Sequence, residues 1–175
     1  MSVMKRSGLG GWKRNNRTAG EQEFYACIRD LAEHPVVQKM KNYTQHGHTS
    51  CYRHCMRVAY YNYRICRFLG LDACSAARAG MLHDLFLYDW HTHARKTGQR
   101  FHGLTHPRRA LCNAGRHFVI NDLEQEMILK HMWPLTVVPP CHPETLIICL
   151  VDKYCSLCET AGGWKKKLSR PGRWR

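Results

Sequence analysis

The stretch TSCYRHCMRVAYYNYRICRFL, residues 49–69, places Cys51, Cys55, Val58, Asn62, Ile65, Cys66 and Leu69 at three- and four-residue steps. That spacing is the repeat of an amphipathic helix with one face turned to a core. Gly70 follows, a residue free to take the left-handed conformation that ends helices. Downstream, Asp72 caps a helix expected to run to about Leu87. It is built on Ala73, Ala76, Ala77, Ala79 and Gly80, small enough for a neighbouring helix to approach closely. Upstream, residues 21–33 read as a first helix, and Pro35 begins a short second one.

The same reading extends to the C-terminus. After a polar loop from His91 to Gly103, Thr105 is expected to cap a helix with Pro107 in its first turn. Asn121 and Glu124 have capping-box spacing and open a helix to about Met132. A proline-rich connection over 133–143 leads to a last helix from Glu144 to about Ala161. No alternating run supports a strand. The expected fold is all-α, a compact multi-helix bundle over residues 21–160.

Composition narrows the class. The 175 residues suffice for one domain with its own core. No run of apolar residues is long enough for a membrane span, and Met1–Gly8 lacks the apolar segment of a secretory signal. The ten cysteines are therefore read as reduced, and the expected compartment is the cytoplasm. Of the formal charge of +14, residues 1–20 hold five cations and residues 161–175 six, with no acid in either, leaving +3 for the middle. These ends read as basic tails with little fixed structure. They could touch nucleic acid weakly and salt-dependently, or simply solubilise the chain.

Chemistry concentrates in the middle. His54 borders the apolar face of the 49–69 helix, and His83 and Asp84 end the alanine-rich run. His106 stands early in its helix; His131 continues Leu123 and Met127 at four-residue steps. Asp152 continues the Ile148 and Cys149 stripe, where a carboxylate is expensive to bury unless something positive meets it. Any one inward histidine alone is more simply a hydrogen-bonded core residue. Four imidazoles and two carboxylates over five segments are the inventory of a one- or two-metal centre. Nitrogen and carboxylate donors suit Fe, Mn, Co, Ni or Zn. Cys155-Ser-Leu-Cys158 lacks a second pair at zinc-finger spacing and is set aside.

In this order the residues resemble the HD-domain superfamily of metal-dependent phosphohydrolases. Tyr52-Arg-His54-Cys-Met-Arg-Val-Ala59 is similar to the family's first histidine motif. Ala79-Gly-Met-Leu-His83-Asp84 is similar to its central pair, and Leu150-Val-Asp152-Lys153 to its closing aspartate. His106 and His131 resemble the added histidines of dinuclear members, including small bacterial proteins acting on dinucleoside polyphosphates. The resemblance covers roughly residues 46–160. Leu85-Phe-Leu-Tyr88 follows the His-Asp, and no Gly-Tyr-Pro motif appears, which argues against a cyclic-di-GMP phosphodiesterase. No second domain of the alarmone synthetase-hydrolase kind is expected.

The resemblance implies an all-helical HD-like bundle holding one or two divalent transition metals. His54, His83 and Asp152 would serve one ion, His106 and His131 the other, and Asp84 would bridge. It also implies a metal-activated water that hydrolyses a phosphate ester or anhydride of a nucleotide or similar small substrate. Arg108, Arg109 and Lys153 are the candidate phosphate-positioning cations, with Lys130 beside His131. Asp89 is a candidate proton donor; Tyr88, Trp90 and Trp133 are candidate base-stacking rings. Two other readings stay open: a phosphodiesterase on RNA or DNA gripped by the tails, and a non-catalytic metal-binding or nucleic-acid-interacting protein.

Overall fold

The structure is a computed structural model and describes residues 18–90, 98 and 102–168. The basic segment before Thr18, the polar-loop positions 91–97 and 99–101, and residues 169–175 lie outside the described residues, as do the expectations placed on them.

Helix α1 (Ala19–Ala32) begins at Thr18, which caps it through a reciprocal box with Glu21. The short α2 (Pro35–Gln38) has Pro35 in its first turn, and a 3-10 turn (Lys39–Asn42) follows. Strands β1 (Thr44–His46) and β2 (Thr49–Ser50) form a small antiparallel hairpin. Gly47, at φ 58°, permits its turn. No strand was expected here, because two or three residues are too few to show an alternating pattern. Ser50 accordingly caps α3 (Cys51–Leu69) instead of lying inside it, and Gly70 ends that helix in the left-handed conformation at φ 69°.

Helix α4 (Ala73–Leu82) is capped by Asp72 and stops five residues before the expected Leu87. The chain turns there: Leu85 and Phe86 donate to the carbonyls of Leu82 and Asp84, and Leu87 has φ 60°. Helix α5 (His102–His117) starts four residues before the expected His106 and takes in Thr105, the expected cap, so Pro107 falls beyond its first turn. A reciprocal box of Asn121 and Glu124 opens α6 (Asp122–Lys130). Helix α7 (Pro143–Leu168) runs past Ala161 into what the sequence reads as tail. The fold is all-α among the described residues, apart from the hairpin. Among the described residues no helix is long and apolar enough to cross a membrane.

Packing centres on α3 and α4. A Cβ at Gly80 would stand 2.7 Å from Ala59 Cα and 2.9 Å from Ala59 N, so the absent side chain allows this close crossing. Cys55, Val58, Ala59 and Cys66 of α3 are buried with Ala76, Ala77, Ala79 and Leu82 of α4. Arg78 ties α4 to its neighbours, bonding Glu124 of α6 at 2.9 Å and Asp30 of α1 at 2.9 Å. Helix α7 lies antiparallel on α3: Arg57 meets Glu159, Tyr61 meets Tyr154, and Asp72 just beyond α3 meets Glu144. All ten cysteines are free thiols; Cys155 is buried and Cys158 exposed, so that CxxC forms no pair.

Candidate metal centre

The fold brings the six candidate ligands to one buried place. His54 comes from α3, Asp152 from α7, His106 from α5 and His131 from the end of α6, whereas His83 and Asp84 sit at the end of α4. All six are buried. His54 Nε2 lies 3.0 Å from Asp152 Oδ1 and 3.9 Å from Asp84 Oδ2. His83 Nε2 lies 3.4 Å from Asp84 Oδ2 and 3.6 Å from Asp152 Oδ1. On the opposite side of the same carboxylate, Asp84 Oδ1 lies 3.1 Å from His106 Nε2 and 3.8 Å from His131 Nε2. Asp84 thus divides two donor sets. Its oxygens face His54 and His83 on one side, His106 and His131 on the other.

Three observations test whether these residues fit metal ions. First, His83 Nε2 and Asp84 Oδ1 are buried without a hydrogen bond of acceptable geometry. An orphaned buried polar atom costs about 1–3 kcal/mol unless something not seen meets it. Second, the donor atoms within each of the groups His54–His83–Asp84 and Asp84–His106–His131 lie within 4.8 Å of one another. Ligands about 2.1 Å from a shared ion stand roughly 3.0–3.4 Å apart in octahedral or tetrahedral arrangements, close to the spacings observed. Third, the tautomers are set for ligation. His83 Nδ1 donates to the Gly80 carbonyl at 2.9 Å and His131 Nδ1 to the Ile128 carbonyl at 2.8 Å, leaving each Nε2 lone pair to face the centre. The 2.8 Å approach of His106 Nε2 to His131 Nε2 can be a hydrogen bond without metal, with His106 as donor. The donor set fits.

The electrostatics point the same way. Burial would push His54 down, but Asp152 and Glu159 hydrogen-bonded to it hold it well above 6.5. Burial likewise opposes the Asp84 carboxylate beside His83, which nevertheless keeps that imidazole well above 6.5. Against burial, the adjacent imidazoles hold both Asp84 and Asp152 below the usual carboxylate range. His131 is pushed down to about 3 by burial and by the neighbouring His106 and His83. With neutral imidazoles, Asp84, Asp152 and Glu159 bring three negative charges to the cluster. Among the described residues Arg57 returns one through its pair with Glu159. The remaining deficit of two is what protons or divalent ions must supply.

Sequence reading missed Glu159 and Gln45. Glu159 Oε2 accepts from His54 Nδ1 at 3.1 Å, and its other oxygen accepts from Arg57 at 2.8 Å. The signal was available: Glu159 stands seven residues after Asp152, on the same face of α7. Gln45 Nε2 donates to Asp84 Oδ2 at 2.5 Å from β1. No helical periodicity could have found it. Cys51 Sγ donates to the Asp84 carbonyl at 3.4 Å, anchoring the turn that follows α4.

A cavity of about 540 Å³ opens onto Asp84, His106, His131 and Asp152, walled by Trp90 and Met132 among others. Lys153 lies on its wall, Nζ donating to the carbonyls of Trp133 at 2.7 Å and Cys149 at 3.1 Å. The other cations stand elsewhere. Arg108 is exposed, the Arg109 guanidinium stacks over Tyr88 at 5.2 Å, and Lys130 pairs with Glu126. Asp89 is half-buried, and Trp133 meets the site through its carbonyl on Lys153. No protein-family model, no curated protein and no solved structure matches this chain. What stands is a helical fold with a buried His/Asp group that could hold metal, compatible with an HD-like architecture.

Proposed function

We propose that the chain is an HD-type metal-dependent phosphohydrolase that cleaves an ester or anhydride bond of a nucleotide or similar small phosphorylated compound. The observation that carries the reading is Asp84, one oxygen toward each donor set. His54, His83, Asp152 and Asp84 Oδ2 would hold one ion; His106, His131 and Asp84 Oδ1 the other. Divalent ions there would supply Lewis acidity, lowering the pKa of water and offsetting charge on phosphoryl oxygens.

The chain's own groups orient and hold. Glu159 fixes the His54 tautomer, and the backbone carbonyls of Gly80 and Ile128 fix those of His83 and His131. Gln45 restrains the Asp84 carboxylate. The cavity's volume lies in the range of about 300–1,000 Å³ typical of small-molecule sites, which favours a nucleotide-sized substrate. Trp90 and Met132 offer apolar wall to a base, and Lys153, on the same wall, offers charge to a phosphate. Arg108 and Arg109 would act only on a substrate reaching beyond that wall.

Metal analysis of the purified protein, run beside a phosphate-release screen over mononucleotides and dinucleoside polyphosphates, tests the reading. Bound transition metal, turnover on at least one substrate, and loss of turnover in Asp84→Asn with unchanged circular dichroism are expected. A metal-loaded protein that releases phosphate from none of them overturns the enzymatic reading. A protein that binds no metal overturns the centre itself.

A further inference from the structure

Eight of the fourteen exposed large apolar side chains among the described residues stand on two helices packed side by side. On α3 they are Tyr61, Ile65, Phe68 and Leu69, and on α7 Leu146, Leu150, Tyr154 and Leu157. Each set recurs at three- or four-residue steps, which makes one stripe per helix. The Tyr61 and Tyr154 rings meet edge to face at 6.2 Å and join the stripes. Because the helices are antiparallel, Ile65, Phe68 and Leu69 run toward the end of α7 that carries Leu146 and Leu150. Phe68 is 88 % exposed, Leu157 71 %, Leu150 61 % and Tyr154 59 %; the other four are 38–55 % exposed.

We infer that this α3–α7 face is a homodimer interface, covered in solution by a second copy of the chain. Area is the first argument. At about 200 Å² for a fully exposed large residue, the eight leave roughly 900 Å² exposed, most of it apolar. The largest patch on a typical monomer is about 300–600 Å², and a stable pair needs about 800 Å² from each partner. A two-helix face is also self-complementary: a two-fold axis through it stacks two helices on two, the packing of a four-helix layer.

Charge separates a second copy from a lipid surface. Adhesion to anionic lipid uses cations free to reach beyond the apolar face. Among the described cations beside the face, Arg57 is paired with Glu159 and Arg67 with Glu23, so neither is spare for a lipid phosphate. Leu157 belongs both to the face and to the cavity lining, so the interface reaches the wall of the metal centre.

Sedimentation velocity on the full chain at about 50 µM tests this, a concentration suited to the micromolar-or-tighter affinities of interfaces this size. The expected particle has twice the 20.4 kDa chain mass. Phe68→Glu and Leu150→Glu, each at an exposed position, should halve that mass with unchanged far-ultraviolet circular dichroism. Val119→Glu, at a position 93 % exposed and outside the face, should leave it doubled. If one glutamate variant misfolds, the other decides. A monomeric wild type overturns the inference, and so does a dimer that survives both substitutions. A monomer that instead co-sediments with anionic phosphatidylserine vesicles also overturns it, in favour of a bilayer.

Discussion

Replacing Glu159 by Gln asks whether the buried carboxylate behind His54 tunes the candidate metal centre or merely fills space. Its side chain has no exposed surface, and its oxygens accept from His54 at 3.1 Å and Arg57 at 2.8 Å. Glutamine keeps the volume but has one acceptor oxygen, and its amide NH2 must face one of those two donors. The negative charge that makes His54 a stronger donor is lost as well. Groups behind a ligating histidine are worth about 10–100-fold in metal affinity, or about 1.4–2.7 kcal/mol. Only one of the two donor sets contains His54. A chelator-competition titration with Mn, Co or Zn should therefore show one binding step weakened by that factor and the other, held by His106 and His131, unchanged. Fold loss is a separate outcome, read by circular dichroism, and Glu159→Asp should recover part of the affinity if charge is the cause. Two unchanged steps, or two steps weakened equally, would refute the assignment of Glu159 to one ion.

Metal binding should release protons. Without metal, the facing carboxylates raise His54 and His83 well above 6.5, so protons compete with an ion for these imidazoles, whereas burial and neighbouring imidazoles push His131 down to about 3. Calorimetry at pH 7 in buffers of different ionisation enthalpy should read about one to two protons released on loading the His54 side; none would contradict the charge balance drawn above. The sign for stability follows. Raised imidazole values contribute stability that is complete below about pH 6.5 and lost as pH rises through the folded values. Over that rise the metal-free protein should weaken while metal affinity grows, which thermal melts with and without metal can separate. Gly80→Ala should force α3 and α4 apart, since its Cβ would meet Ala59 backbone at 2.7 Å. Overpacking of that kind costs about 1–3 kcal/mol, or about 3–10 °C in Tm at this chain length. An unchanged Tm would mean that the crossing yields freely.

The helical architecture was legible because α1, α3, α4, α6 and α7 each carry their own signal: an amphipathic stripe, a capping side chain, or a run of small residues. The hairpin was not, because its few residues hold too little pattern; yet it delivers Gln45 to Asp84. His131 and Asp152 were legible because they continue apolar stripes, where burying a polar group is costly without a reason; His54, His83, Asp84 and His106 were named from their order along the chain and its resemblance to the HD motifs. Glu159 obeyed the same rule and was passed over, since a carboxylate seven residues from another draws notice only once the first is known to face inward. The candidate cations were chosen by adjacency to ligands. Adjacency says little about direction on a helix, where neighbours point about 100° apart. Lys153 reaches the cavity wall, whereas Arg109 turns onto Tyr88.

That same 100° bears on Asp84. Were His83 and Asp84 both inside a continuous helix, as a helix to Leu87 requires, a single centre would have to lie between their two directions. The early end of α4 at Leu82 removes the conflict. His83 keeps helical backbone as the capping residue, and its ring bonds back to the Gly80 carbonyl. Asp84 lies beyond the last helical residue, where Gln45 bonds its carboxylate and Cys51 its carbonyl. A carboxylate can present one oxygen to each of two donor sets only if it stands between them, and a turn offers that freedom better than a helix face. The departure from the expected helix is therefore part of how the site is built. Removing the Gln45 amide by Gln45→Leu should loosen the Asp84 carboxylate and weaken metal binding on both sides of it together, unlike Glu159→Gln. Weakening confined to one side in that variant would show that Asp84 does not join the two.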